Sequence, residues 1–188
     1  MPALESELNP QPASDADLSI LLFGVRRSVR YHSCRRAFFD RLNNTTNVTS
    51  VLFGSAALAS LLASGGRALI LIAATVVTFF SAVNLVIGST RKAREHADLA
   101  KKFVELQKQI VGCAKPTDQD LRNWTQNRLE IEAEEPPVLK VLDSMCHNDQ
   151  LRADGFSREE FLDIRWYQRL LAQIRDVADH RIQKKDRA

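Results

Sequence analysis

Two groups of residues in this 188-residue chain have the side chains for chemistry. One is Cys146-His147, a thiol beside an imidazole; the other is the carboxylate run Glu130, Glu132, Glu134 and Glu135. Nucleophilic or acid–base catalysis would need these groups to converge on a shared reacting atom. Neighbours on a helix point in different directions, so Cys146 and His147 are poorly placed to serve one another. Cys34, Cys113 and Cys146 are too scattered for a disulfide framework or for zinc-ligand spacing. The glutamates read as a solvated helix face laced with salt bridges. The chain has no phosphate loop, nucleophile elbow or dinucleotide fingerprint. The sequence therefore predicts no enzyme, no catalytic residue, no metal and no cofactor.

The informative polar residues lie in apolar surroundings. Asn84 sits deep in a strongly apolar segment, where an unpaired amide is costly. Beside it, Ala74, Thr78, Ser81, Leu85 and Gly88 form a ladder of mostly small residues. An earlier segment offers Ser50, Gly54, Ser55, Ala59 and Ser60, with small residues repeatedly four apart. Small residues let helices approach closely, and hydroxyls and amides bond across the contact. Thr78, Ser81, Asn84, Gly88, Ser55 and Ser60 are thus candidates either for helix–helix adhesion or for the lining of a wet pore. Both readings predict association beyond one chain, because two spans cannot enclose a channel.

These residues belong to two charge-free stretches. Leu42 to Gly66 is 25 residues without a charge, and Ala68 to Thr90 is 23 more. A hydrocarbon core about 30 Å thick needs roughly 20 mainly apolar helical residues, so each is long enough to span. The competing reading is two core helices of a soluble bundle, apolar on all faces. A charged fraction of 26% hides the segregation, because the apolar residues are not spread evenly. The predicted fold is all-α: a membrane protein with a two-helix transmembrane hairpin and a cytoplasmic helical bundle or stalk. Its parts are a loose tail over 1–13, an amphipathic cytoplasmic helix over 14–44, and a first span over 45–64. An external turn over 65–67, a second span over 68–90, a stalk over 91–112 and C-terminal helices over 113–188 complete it.

Charge sets the orientation. Arg26, Arg27, Arg30, Arg35, Arg36 and Arg41 precede the first span; Arg91, Lys92, Arg94, Lys101 and Lys102 follow the second; the connecting loop has only Arg67. Excess Lys and Arg marks the cytoplasmic side, which puts both termini inside a multi-pass inner-membrane protein. Residues 1–112 hold 13 basic and 8 acidic side chains, while 113–188 hold 13 and 15. The positive excess lies beside the spans, where a lipid bilayer with anionic headgroups is the natural partner. No reader motif accompanies it, so nucleic acid is not the expected partner.

The flanking segments carry helix signals. Ser14 with Asp15 and Asp17 marks a start, followed by Leu18, Leu21, Leu22, Val25 and Val29 on one face. Beyond the second span nothing is expected to break the helix before Gly112; Ala68 to Val111 would be 44 residues, about 66 Å. Leu99, Phe103, Leu106 and Ile110 form a stripe that requires partner helices, as in a coiled coil. Thr117 with Asp120 signals another helix, with Leu121, Trp124, Leu129 and Ile131 as its apolar side and Pro136-Pro137 as its end. A further helix is expected over Val138–Arg152, and a last one opens on a Ser157/Glu160 capping box and carries Phe161, Ile164, Trp166, Tyr167, Leu170, Leu171 and Ile174. Its Trp-Tyr pair suits either the membrane surface or a core.

The order of several short motifs resembles the SLATT domain family. They are Tyr31-His32-x-x-Arg35-x-x-Phe38-Phe39-Asp40, two spans, Ala97-Asp98-Leu99, Glu130-Ile131-Glu132-x-x-Glu135-Pro136-Pro137, Cys146-His147-Asn148 and Trp166-Tyr167-Gln168-Arg169-Leu170. The resemblance covers roughly residues 20–175 and implies a two-span effector of bacterial conflict (anti-phage) systems. Such an effector is expected to oligomerise and to form a pore or otherwise breach the inner membrane when triggered. Tyr31, His32, Arg35, Phe39, Glu132, Glu135, Pro136, His147 and Asn148 are the cytoplasmic motif residues it points to. This chain carries no fused sensor domain, so a separate sensor or nucleotide-signal component is the implied partner besides a homo-oligomer. The alternative is a non-conducting membrane anchor or scaffold that recruits a cytoplasmic partner through its helices.

Overall fold

The structure is a computed structural model describing residues 11–62 and 66–182. Six α-helices account for most of it: α1 (Asp15–Leu62), α2 (Arg67–Ile87), α3 (Ser89–Gly112), α4 (Asp118–Ala133), α5 (Lys140–Ala153) and α6 (Trp166–Leu171). Short 3₁₀ turns lie at Arg158–Glu160 and Asp179–Arg181. The chain is all-helical, and an isolated antiparallel bridge joins Pro12 to Thr117.

The chain divides into two compact units, one formed by Met1–Ser33 with Asp98–Ala188 and the other by Cys34–Ala97. The first has an ordinary water-soluble core. Leu21 and Val25 of α1 are one helical turn apart, and Leu99, Phe103, Leu106 and Ile110 recur along one face of α3. Trp124 and Ile131 of α4 close over them, with Leu18, Leu22, Val29, Cys113 and Leu121 packed alongside. The apolar stripe that needed partners finds them within the same chain. Leu129, expected on an apolar face, is instead mostly exposed. Gly24 permits a close approach: a Cβ there would lie 2.5 Å from the Arg128 guanidinium.

The boundary expected at 44/45 falls within one helix, because α1 runs unbroken through it and no proline enters it. Other local expectations need correcting. The continuous helix expected over 68–111 is interrupted at Gly88, which takes φ 64° and ψ 45° at the end of α2. A side chain would resist that left-handed conformation, so the interruption falls on glycine. Residues 11–13 are pinned rather than loose: Ala13 N–H donates to Pro116 O at 3.0 Å and Asp118 N–H to Gln11 O at 2.9 Å. The rest of the expected tail, residues 1–10, lies outside the described residues, as does residue 65 of the turn expected over 65–67; Arg67 opens α2.

The last long helix is also absent. Ser157 is followed by a single 3₁₀ turn without a side-chain cap, extended backbone intervenes, and α6 spans only Trp166–Leu171. The capping box at Thr117, by contrast, is present. Asp120 N–H donates to Thr117 Oγ1 at 3.2 Å, and Thr117 N–H donates to Asp120 Oδ2 at 3.0 Å. Thr117 Oγ1 also donates to Asp120 Oδ2 at 2.7 Å, and this bond, with the one from Thr117 N–H, holds the Asp120 carboxyl below its usual range.

In the second unit apolar residues face outward. Val48, Val51, Leu52 and Leu58 on α1 and Leu71, Ile72, Phe79, Leu85 and Val86 on α2 are exposed. The helical stretch from Ile70 to Gly112, taken across the Gly88 interruption, contains a segment long and apolar enough to cross a membrane. Only 6% of that segment is buried, which is the reverse of a soluble core helix.

Candidate functional site

Two polar constellations stand out, one in each unit. In the first unit, three α1 side chains one turn or one residue apart reach the α4–α5 connection or the first turn of α5. Tyr31 Oη accepts from Leu139 N–H at 3.0 Å. His32 Nε2 lies 3.1 Å from Glu135 Oε1, with the imidazole buried and stacked on Phe103 at 5.7 Å between ring centres. Arg27 Nε stands 3.3 Å from Asp143 Oδ1, close enough for an ion pair although its N–H points off the hydrogen-bond axis. Arg27, Ser28, Tyr31, Glu132, Glu135, Val138 and Asp143 line a cleft of about 240 Å³.

The electrostatics of that cleft follow from burial. Desolvation pushes the Asp143 carboxyl up, against the opposing pull of Arg27 and His147. His147, one turn along α5 and edge-on to Phe23 at 5.2 Å, is pushed down by burial and by the Arg27 charge, with Asp143 opposing. Among the described residues no group of three or more His, Cys, Asp or Glu is placed to hold a metal ion. Cys146 is buried while Cys34 and Cys113 are half-buried, and no disulfide joins them.

The family-motif residues divide by place. Tyr31, Glu132 and Glu135 share the cleft, and His32 backs onto it. Glu132 accepts from Arg128 Nε at 2.7 Å. Asn148, buried on α5, clamps both backbone polar groups of Leu162: its Nδ2 donates to Leu162 O and its Oδ1 accepts from Leu162 N–H, both at 2.8 Å. His147 belongs to the Asp143 and Arg27 group, and Pro136 is exposed in the connection after α4. Arg35 and Phe39 are in the other unit. There the Arg35 guanidinium lies 4.6 Å from the Phe39 ring centre, and His96 stacks on Phe39 at 5.8 Å.

The second constellation is in the apolar unit. Asn43 Oδ1 accepts from Asn84 Nδ2 at 3.2 Å and from Thr90 Oγ1 at 3.3 Å, tying α1 to both sides of the Gly88 interruption. Asn84 Oδ1 and Ser89 Oγ are buried without a hydrogen-bond partner. Asn84 is therefore half satisfied, as its position in an apolar segment warned. Thr78, Ser81 and Ser55 are exposed. The Ser60 side chain lies outside the described residues.

Sequence reasoning missed three residues, two that organise the first unit and one, Asn43, in the second. Asp176 accepts from Lys140 N–H and Val141 N–H at 3.0 Å each, supplying a cap to α5 from 35 residues away. The signal was an omission: Pro136-Pro137-Val138-Leu139 offers no side-chain cap, so those N–H groups needed a remote acceptor. Gln150, buried, accepts from Arg30 Nε at 2.7 Å and donates to Asp154 at 2.9 Å. Asn43 was overlooked because it stands at the edge of the first apolar stretch. No protein-family model, curated protein or solved structure matches the chain.

Proposed function

We propose that the chain is a two-span membrane effector of the kind its SLATT-like motifs suggest, which associates with copies of itself and breaches the inner membrane when triggered. The observation that carries this reading is the outward apolar surface of α2 and of the second half of α1, beside a first unit whose apolar residues are packed inward. Exposed Val, Leu, Ile and Phe side chains in that number are unfavourable in water and natural in hydrocarbon. The Lys and Arg excess on both flanks supports a hairpin with both termini cytoplasmic.

The unsatisfied Asn84 Oδ1 supports association or wetting. In lipid such an oxygen is stabilised by a donor from another copy or by water. Exposed Ser81 and Thr78, about one and nearly two turns before Asn84, are available to a neighbouring copy. The cytoplasmic unit, knitted by Tyr31, His32 and Asn148, is the part on which a separate sensor or nucleotide signal would act.

The test is induction in bacterial cells with a potential-sensitive dye, comparing the natural chain with a variant carrying Thr78→Leu, Ser81→Leu and Asn84→Leu. A conducting assembly loses its depolarisation in the variant while remaining in the membrane. An unchanged potential in triggered cells containing the membrane-inserted natural chain rejects the pore and favours a non-conducting anchor.

A further inference from the structure

We propose that Trp166, Leu170 and Ile174, bordered by Arg165, Arg169 and Arg175, form a docking face through which the first unit rests on an anionic lipid headgroup layer; this rests on the membrane reading above. The three apolar side chains are 76%, 72% and 70% exposed. They are four residues apart, which places them in one row on a helix. Ile174 stays in the row because the chain continues turning after α6: Ile174 N–H and Arg175 N–H both donate to Leu171 O, at 2.9 and 3.0 Å.

The exposure is built in, because the inward face is already filled. Ile164, Gln168 and Ala172, offset by two residues and so on the opposite side, are all buried. Gln168 Nε2 donates to Val177 O and Ala178 O at 3.0 Å each, and Gln168 Oε1 accepts from Arg165 N–H at 2.9 Å. Rotating the segment to hide Trp166 would break all three bonds. The face is fixed outward.

Charge selects the occupant. Residues 164–175 contain three arginines and no acid. The acids that follow are turned to other work: Asp176 caps α5, and Asp179 pairs with Lys140 at 2.9 Å. Asp163, exposed just before the row, is the acid that stands against the approach. Trp beside Arg is the composition of the headgroup region, where an amphipathic ring and a cation are both satisfied. Self-contact about a two-fold axis would bring two sets of these arginines together. A face this small binds lipid weakly from solution, but a chain already anchored in the bilayer meets it at high effective concentration.

The experiment uses the full chain in nanodiscs of phosphatidylcholine alone or mixed equally with phosphatidylglycerol, with bromine-labelled acyl chains as quencher. Trp124 is buried in the core, so Trp166→Phe supplies the background. The expected result is quenched, blue-shifted Trp166 emission that strengthens with phosphatidylglycerol. That gain should be lost in a variant with Arg165→Gln, Arg169→Gln and Arg175→Gln. Unquenched Trp166 emission in both lipids, from protein stably held in the discs, overturns the docking face alone. Cross-linking of Trp166→Cys chains to each other in place of quenching overturns it in favour of a contact between copies. A chain that stays monodisperse in buffer and never enters the discs overturns the membrane reading itself.

Discussion

Replacing Asn148 with alanine should unfasten the segment around Leu162 without unfolding the rest of the first unit. The side chain makes two 2.8 Å bonds to one backbone residue, and both are lost together. A hydrogen bond removed so as to leave a buried group unmet costs about 1–3 kcal/mol. Leu162 is only half-buried, so water partly replaces the lost partner and the lower end of that range applies to each bond. The sum is about 2 kcal/mol, or roughly a 30-fold rise in the exchange rate of the Leu162 amide at 1.4 kcal/mol per decade. Hydrogen exchange by mass spectrometry on the full chain in detergent reads this directly, from a peptide covering residues 160–170. A peptide from α4 is the control and should not change. A rise under threefold at Leu162 refutes the clamp, and equal acceleration in α4 refutes the claim that the effect is local.

Gly88→Ala should destabilise the second unit by about 1–2 kcal/mol, the cost of a left-handed L-residue, while Gly88→Asn should cost less. Thermal unfolding of the three proteins in one detergent ranks them, and an alanine variant as stable as the natural chain would show that the interruption is not required. Acidification should weaken the first unit through His147. Its folded pKa is lowered, so its neutral form contributes stability above the unfolded value near 6.5 that is lost as pH falls through the folded one. The difference between natural and His147→Asn melting temperatures across pH 5–8 should therefore grow in the variant's favour toward acid; a flat difference contradicts the assignment.

What the sequence discloses about this protein divides by the range of the interaction. The α1 and α3 stripes were readable because helical spacing alone places Leu21 with Val25 and Leu99 with Phe103. The Thr117–Asp120 cap is likewise local. Gly88 resisted, since an isolated glycine in an apolar run is tolerated by a continuous helix as readily as it breaks one. The Ser157/Glu160 pattern misled because the intended helix loses to tertiary bonds: Asn148 holds Leu162 extended, and Gln168 is drawn to Val177 and Ala178. Of the polar candidates, Asn84 was identifiable from its cost in an apolar segment, but its partner Asn43 lies 41 residues away and has no spacing to betray it.

The unit built around Phe103 is assembled from two stretches of chain separated by the 64 residues Cys34–Ala97. At roughly 5–20 residues per second, a ribosome needs about 3–13 s to make the intervening stretch. During that interval Leu21, Val25 and His32 have been synthesised but Leu99, Phe103 and Leu106 do not yet exist. The nascent amino-terminal helix thus waits with its sticky side bare until α3 has been made, and the core around Phe103 cannot close before then.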